Sequence, residues 1–121
     1  MSKMLYAFLA VSLIIPTFAV AQVPTKVADG VLTNSGGMTL YTTDKDTDGK
    51  STCNGSCAAI WPPLAATADA KATGDYSIVT RDDGSKQWAY KRKPLHGWAK
   101  DQKPGDKTGD GVGGVWHVAK P

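Results

Sequence analysis

The chain contains no glutamate; all eleven of its acidic residues are aspartate. Aspartate favours turns and caps, whereas glutamate suits helix interiors. The lack argues against a helical protein and removes the Glu/Glu pair of glycosidase chemistry. Helical periodicity is missing too: no apolar stripe longer than two turns follows residue 22. There is no Gly-x-Ser-x-Gly and no His-Glu-x-x-His, and no other catalytic constellation stands out. The expectation is therefore a protein that is not an enzyme. Cysteine is scarce, with only Cys53 and Cys57. Covalent haem wants Cys-x-x-Cys-His, but here three residues separate the cysteines and Ala58 follows. A thioredoxin-like motif would need Cys-x-x-Cys in an α/β chain. Charge of either sign is nearly balanced. The formal net charge of +3 falls to +2 without Lys3, too weak to argue for nucleic acid or an anionic membrane.

One long hydrophobic run is present. Met4 to Phe18 is broken only by Ser12, Pro16 and Thr17; Lys3 precedes it, and Ala19-Val20-Ala21 follows as a small-x-small cleavage site. That layout predicts a signal peptide over residues 1–21 and a mature start at Gln22. At about 15 residues the run falls short of the roughly 20 that a bilayer core needs. No membrane span is expected after cleavage. No cysteine lies at the cleavage site to carry a lipid. The expected location is periplasmic or secreted, with residues 22–121 as a single domain.

A chain of that size buries a limited core and often uses a covalent staple. Outside the cytoplasm, two cysteines are most simply a disulfide. Closing the Cys53–Cys57 loop contributes about 2 kcal/mol by chain entropy. Helical i,i+4 positions hold Cβ atoms about 5–6 Å apart, whereas a disulfide wants about 3.8 Å. The segment should therefore be a tight or distorted turn, which Gly55 suits.

Thirteen glycines and seven prolines suggest strands and turns, and the chain is written twice. At an offset of 55 residues, Leu40 meets Leu95, Tyr41 meets His96, Thr43 meets Trp98, Asp46 meets Asp101, and Ile60-Trp61 meets Val115-Trp116. Asp29-Gly30 meets Asp83-Gly84 one place out of step. The repeats are placed at about 25–64 and 76–119, with a linker at about 65–75. Each copy is expected to open with a strand (Val27 to Thr33; Tyr76 to Arg81). A turn follows (Asn34 to Gly37; Asp82 to Ser85), then a second strand (Met38 to Thr43; Lys86 to Tyr90, resuming at Leu95). A polar Asp/Gly loop then leads to a tryptophan segment.

Three stretches of the first copy now matter together: Leu40-Tyr41-Thr42-Thr43-Asp44-Lys45-Asp46, Gly49 to Cys53, and Cys57-Ala58-Ala59-Ile60-Trp61-Pro62-Pro63-Leu64. With Lys93 to Asp101, Pro104-Gly105-Asp106 and Gly111 to His117 of the second, they resemble the bacterial secreted-repeat family, often described as lipoproteins with a Tyr-x-aromatic-x-x-Asp motif. The resemblance spans roughly residues 25–119 and implies a tandem repeat and an envelope or secreted location, with no established activity. Thr43 stands where the motif has an aromatic, His96 where it has tyrosine, and the lipid-anchor cysteine is missing.

The expected fold is mainly β: a small sandwich or barrel built from two related halves that share a core, with at most one helical turn near Cys57 to Ile60. The repeat-motif residues are Tyr41, Asp46, Trp61, His96, Trp98, Asp101 and Trp116. Trp61 and Trp116 are expected in the core, while Trp88, Tyr90 and Trp98 could equally form a surface cluster. No cofactor is predicted. Cys53, Cys57, His96 and His117 form the alternative, a copper or zinc site or a redox accessory protein. Calcium ranks behind it. Asp44, Asp46, Asp48 and Gly49 match the first half of a calcium loop, but Gly55 occupies the place of the bidentate glutamate. The leading expectation is a non-enzymatic binding or structural module, its partner left open between an envelope component and a small ligand.

Overall fold

The computed structural model describes residues 23–121; the expected signal peptide at 1–21 lies outside the described residues. Short strands dominate, separated by turns in which ten glycines adopt positive φ. Strand β1 (Lys26–Ala28) folds straight back as β2 (Val31–Thr33). The single strand expected over Val27 to Thr33 is thus a hairpin. Its tip is Asp29-Gly30, with φ of 50° and 75°, the mirror-image turn that matches strand twist. Asn34 then caps the next turn, its Oδ1 accepting from the N–H groups of Gly36 and Met38. Strand β3 (Tyr41–Thr43) leads to the aspartate loop and to one short helix, α1 (Ser56–Ile60). The second copy supplies β5 (Tyr76–Thr80), β6 (Lys86–Tyr90), β7 (Lys93–Pro94) and β8 (Trp116–Val118). The expected linker opens with a strand of its own, β4 (Ala65–Ala66).

The copies exchange their closing segments. Strand β8, from the end of the second copy, pairs antiparallel with β3 of the first, and β4 from the end of the first pairs with β6 of the second. The backbone bonds repeat this about a pseudo-twofold axis. Leu32 N–H donates to the Ala119 carbonyl and Trp88 N–H to the Leu64 carbonyl; Ala119 N–H donates to Leu40 and Leu64 N–H to Leu95. These equivalences match the Asp29-Gly30 turn with Asp82 to Ser85, and the Asn34 to Gly37 turn with Lys91-Arg92. That resolves the one-place slip in the sequence offset, because the first hairpin is shorter than its counterpart.

Exchange explains why neither half is complete alone. Three-residue strands bury too little to stand by themselves. One cluster joins Leu32 and Leu40 to Tyr76, Leu95 and Ala119. A second joins Tyr41, Cys53 and Trp61 to Trp116. Each draws on both copies. Trp61 and Trp116 are buried as expected, and Trp88, Tyr90 and Trp98 are half-buried against the two clusters. No described helix is long and apolar enough to cross a membrane.

Candidate functional site: a crossed aspartate pair between the repeats

At the axis, Tyr41 and His96 face each other as an antiparallel bridge. Tyr41 N–H donates to the His96 carbonyl at 2.7 Å, and His96 N–H returns the bond at 2.9 Å. Their side chains then cross the repeat boundary in opposite senses. Tyr41 Oη donates to Asp101 Oδ2 at 2.6 Å, and His96 Nε2 donates to Asp46 Oδ2 at 2.8 Å. Each motif residue therefore takes its partner from the other copy.

The remaining carboxylate oxygens are taken locally. Asp46 Oδ1 accepts from Thr52 N–H (2.8 Å) and Thr52 Oγ1 (3.1 Å). Asp101 Oδ1 accepts from Thr108 N–H (3.0 Å) and Thr108 Oγ1 (2.6 Å). The aspartates thus tie the long loops to the axis. The other ring nitrogen of His96, Nδ1, lies 3.2 Å from the Trp61 carbonyl oxygen. Its side chain has no exposed surface, and the Asp46 side chain has 3%. Burial and the Asp101 hydrogen bond push the Tyr41 phenol well above its ordinary value, so it remains a donor.

Aromatic packing completes the centre. Trp61 and Trp116 stack with centroids 3.7 Å apart and planes within 3°. Tyr41 meets Trp61 edge-on at 5.4 Å, and His96 meets Trp116 edge-on at 5.0 Å. Trp98 covers the other face of Trp61 at 3.9 Å. Close approach requires Gly109 here, since a Cβ at that position would lie 2.9 Å from Trp61 and 3.0 Å from Trp98. Thr43 stands where the second copy has Trp98, and the corresponding outer face of Trp116 looks onto a small cleft lined by Thr43, Cys53 and Cys57.

The two cysteines form a disulfide, with Cα atoms 5.2 Å apart. Cys57 lies within α1 and Cys53 just before it; Gly55, at φ 57°, makes the intervening turn. Arg81, buried at 6% exposure, holds this loop to the second copy. Its Nη2 donates to the Cys53 carbonyl at 2.5 Å and its Nη1 to Gln87 Oε1 at 2.7 Å and Ser51 Oγ at 3.2 Å. No carboxylate joins that set, which is unusual for a buried guanidinium. Arg81, Gly109, Thr52 and Thr108 escaped the sequence reading. Only the threonines left a trace there, as a match 56 residues apart.

The proposed metal ligands are not brought together. Both sulfurs are in the disulfide, His96 is sealed at the axis, and His117 lies on the surface bonded to Asp44 at 2.9 Å. The calcium-loop aspartates also diverge: Asp44 goes to His117, Asp46 to His96, and Asp48 to Arg92. Among the described residues, no group of three or more His, Cys, Asp or Glu could hold a metal ion.

Residues 24–65 and 77–120 each match the sequence profile of a secreted repeat of unknown function. Neither the curated proteins nor the solved structures give a match.

Proposed function

The chain belongs to this family of secreted repeats, carrying two copies, and from that premise we propose that it is exported and works outside the cytoplasm as a non-enzymatic binding module. One observation carries the reading: Tyr41, His96, Asp46 and Asp101 are bonded to one another across the repeat boundary and buried. A general acid or base must reach the proton it moves. Here these four motif groups are spent on joining the halves. What remains for recognition is the outer surface of a scaffold that the crossed pair and the disulfide make rigid.

The export part of the proposal rests on the Lys3, Met4 to Phe18 and Ala19-Val20-Ala21 layout, and places the mature start at Gln22 in the periplasm or medium. The test combines N-terminal sequencing of the exported protein with turnover assays for hydrolase and oxidoreductase activity. Motif variants such as Tyr41→Phe and Asp46→Asn should lower the melting temperature and reveal no lost turnover. A turnover abolished by a point substitution that leaves the melting temperature intact overturns the reading.

A further inference from the structure

Duplication leaves two copies of one surface cleft, on related sides of the axis. The first is lined by Met38, Pro62, Leu64, Gly97 and Ala99, among others, and has a volume of about 220 Å³. Adding 55 to three of these positions, or subtracting it from the last two, gives Lys93, His117, Ala119, Thr42 and Asp44. All five line the second cleft, of about 260 Å³. The geometry is shared, but the chemistry is not. Where the first cleft presents Met38 and Pro62, the second presents Lys93 and His117, and Lys91, Lys120 and Tyr90 complete its wall.

Charge in the second cleft is unbalanced. Lys91, Lys93 and Lys120 line the cleft together with one aspartate, Asp44, whose carboxylate already accepts from His117. The local excess is two positive charges with His117 neutral, in a protein whose overall net charge is only +3.

The hairpin that presents the lysines is also strained. Its tip, Lys91-Arg92, has φ of 47° and 68°. Such a turn normally takes Asn-Gly, because a side chain crowds the left-handed conformation. The equivalent turn in the first copy, Asn34 to Gly37, has one left-handed position and fills it with glycine, Gly37 at φ 83°. The tip is pinned from both sides: Lys91 N–H donates to the Asp75 carbonyl, Gly49 N–H donates to the Arg92 carbonyl, and Arg92 pairs with Asp48. Lys91 Nζ is held 5.2 Å above the Tyr90 ring, on the cleft wall. Strain kept at one position by surrounding bonds points to a use for what it presents.

We propose that this cleft binds a phosphate group. Lysine binds phosphate as a point charge, and an excess of two positive charges matches a phosphate dianion. The first cleft, lacking those lysines, serves as the internal control. The proposal rests on the binding-module reading and names the ligand chemistry of one of its surfaces.

The experiment is an amide NMR titration of the mature protein with inorganic phosphate, at ionic strength held constant with chloride. Saturable shifts are expected at Thr42, Lys91, Lys93, His117 and Lys120, with none around Met38 and Ala99. In Lys93→Met/Lys120→Met the affinity should fall by about tenfold or more. Lys93→Gln is the second variant should the double one misfold, and it should weaken binding in the same direction. Shifts that never saturate and spread equally to Lys26 and Lys103, or that the variants leave unchanged, overturn the proposal. Sedimentation with vesicles containing phosphatidic acid, whose headgroup is a phosphate monoester, then separates two sources. Pelleting that inorganic phosphate competes away supports a lipid headgroup; no pelleting, with the shifts retained, supports a soluble phosphate. Turnover would sink the module reading and leave these shifts standing, whereas a missing shift would sink only this inference.

Discussion

Tyr41 and Asp101, 60 residues apart in the chain, are joined by a 2.6 Å hydrogen bond that is the counterpart of the 2.8 Å bond between His96 and Asp46. The aspartate of each repeat therefore serves the aromatic position of the other. This makes the motif a device for joining copies. Removing the Tyr41 hydroxyl leaves Asp101 Oδ2 buried without its donor, which costs about 1–3 kcal/mol. Tyr41→Phe should accordingly lower the melting temperature by roughly 4–20 °C in a domain of this size. A double-mutant cycle with Asp101→Asn should give a coupling of at least about 0.5 kcal/mol. Strictly additive losses would show that the two side chains do not act as a pair.

The same bond dictates behaviour at high pH. Burial and Asp101 raise the Tyr41 phenol in the folded protein, whereas the unfolded chain ionises it at about pH 10. The stabilisation is complete below that pH. Above it the unfolded state has lost a proton that the folded state keeps, so stability falls as pH rises, by up to about 1.4 kcal/mol per pH unit for this one group. Urea midpoints measured between about pH 9 and 11.5 should decline more steeply in the wild type than in Tyr41→Phe. Equal slopes would remove Tyr41 as the source.

Arg81 forks onto the Cys53 carbonyl, Gln87 and Ser51 from a buried position. A lysine cannot reproduce a planar fork with several donors. Arg81→Lys should destabilise nearly as much as Arg81→Met, each by about 2–4 kcal/mol in denaturant unfolding. A silent lysine variant would mean that charge alone suffices.

The disulfide closes a five-residue loop, so its removal should cost about 2 kcal/mol. Cys53→Ser/Cys57→Ser should stay folded with a lower denaturant midpoint. Native mass spectrometry without reductant or chelator should find a chain starting at Gln22, two hydrogens light and free of metal. One bound copper or zinc ion with free thiols would revive the metal reading and make Cys53 and Cys57 the residues to test.

Residue order alone carried the repeat, the β class, the Cys53–Cys57 bond and the short helix. Each of these depends on local spacing or on matching the chain to itself. The hairpin at Asp29-Gly30 was harder to see, because Val27 to Thr33 also reads as one apolar strand and only the two left-handed residues divide it. The partners of Asp46, His96, Arg81 and Gly109 were not legible at all. Their distances are decided by which copy receives β4 and β8, and a periodic pattern cannot distinguish a strand kept within its repeat from one handed to the other. That choice follows from packing: only the exchange places Trp61 against Trp116 and lets each aspartate meet a donor from the opposite half.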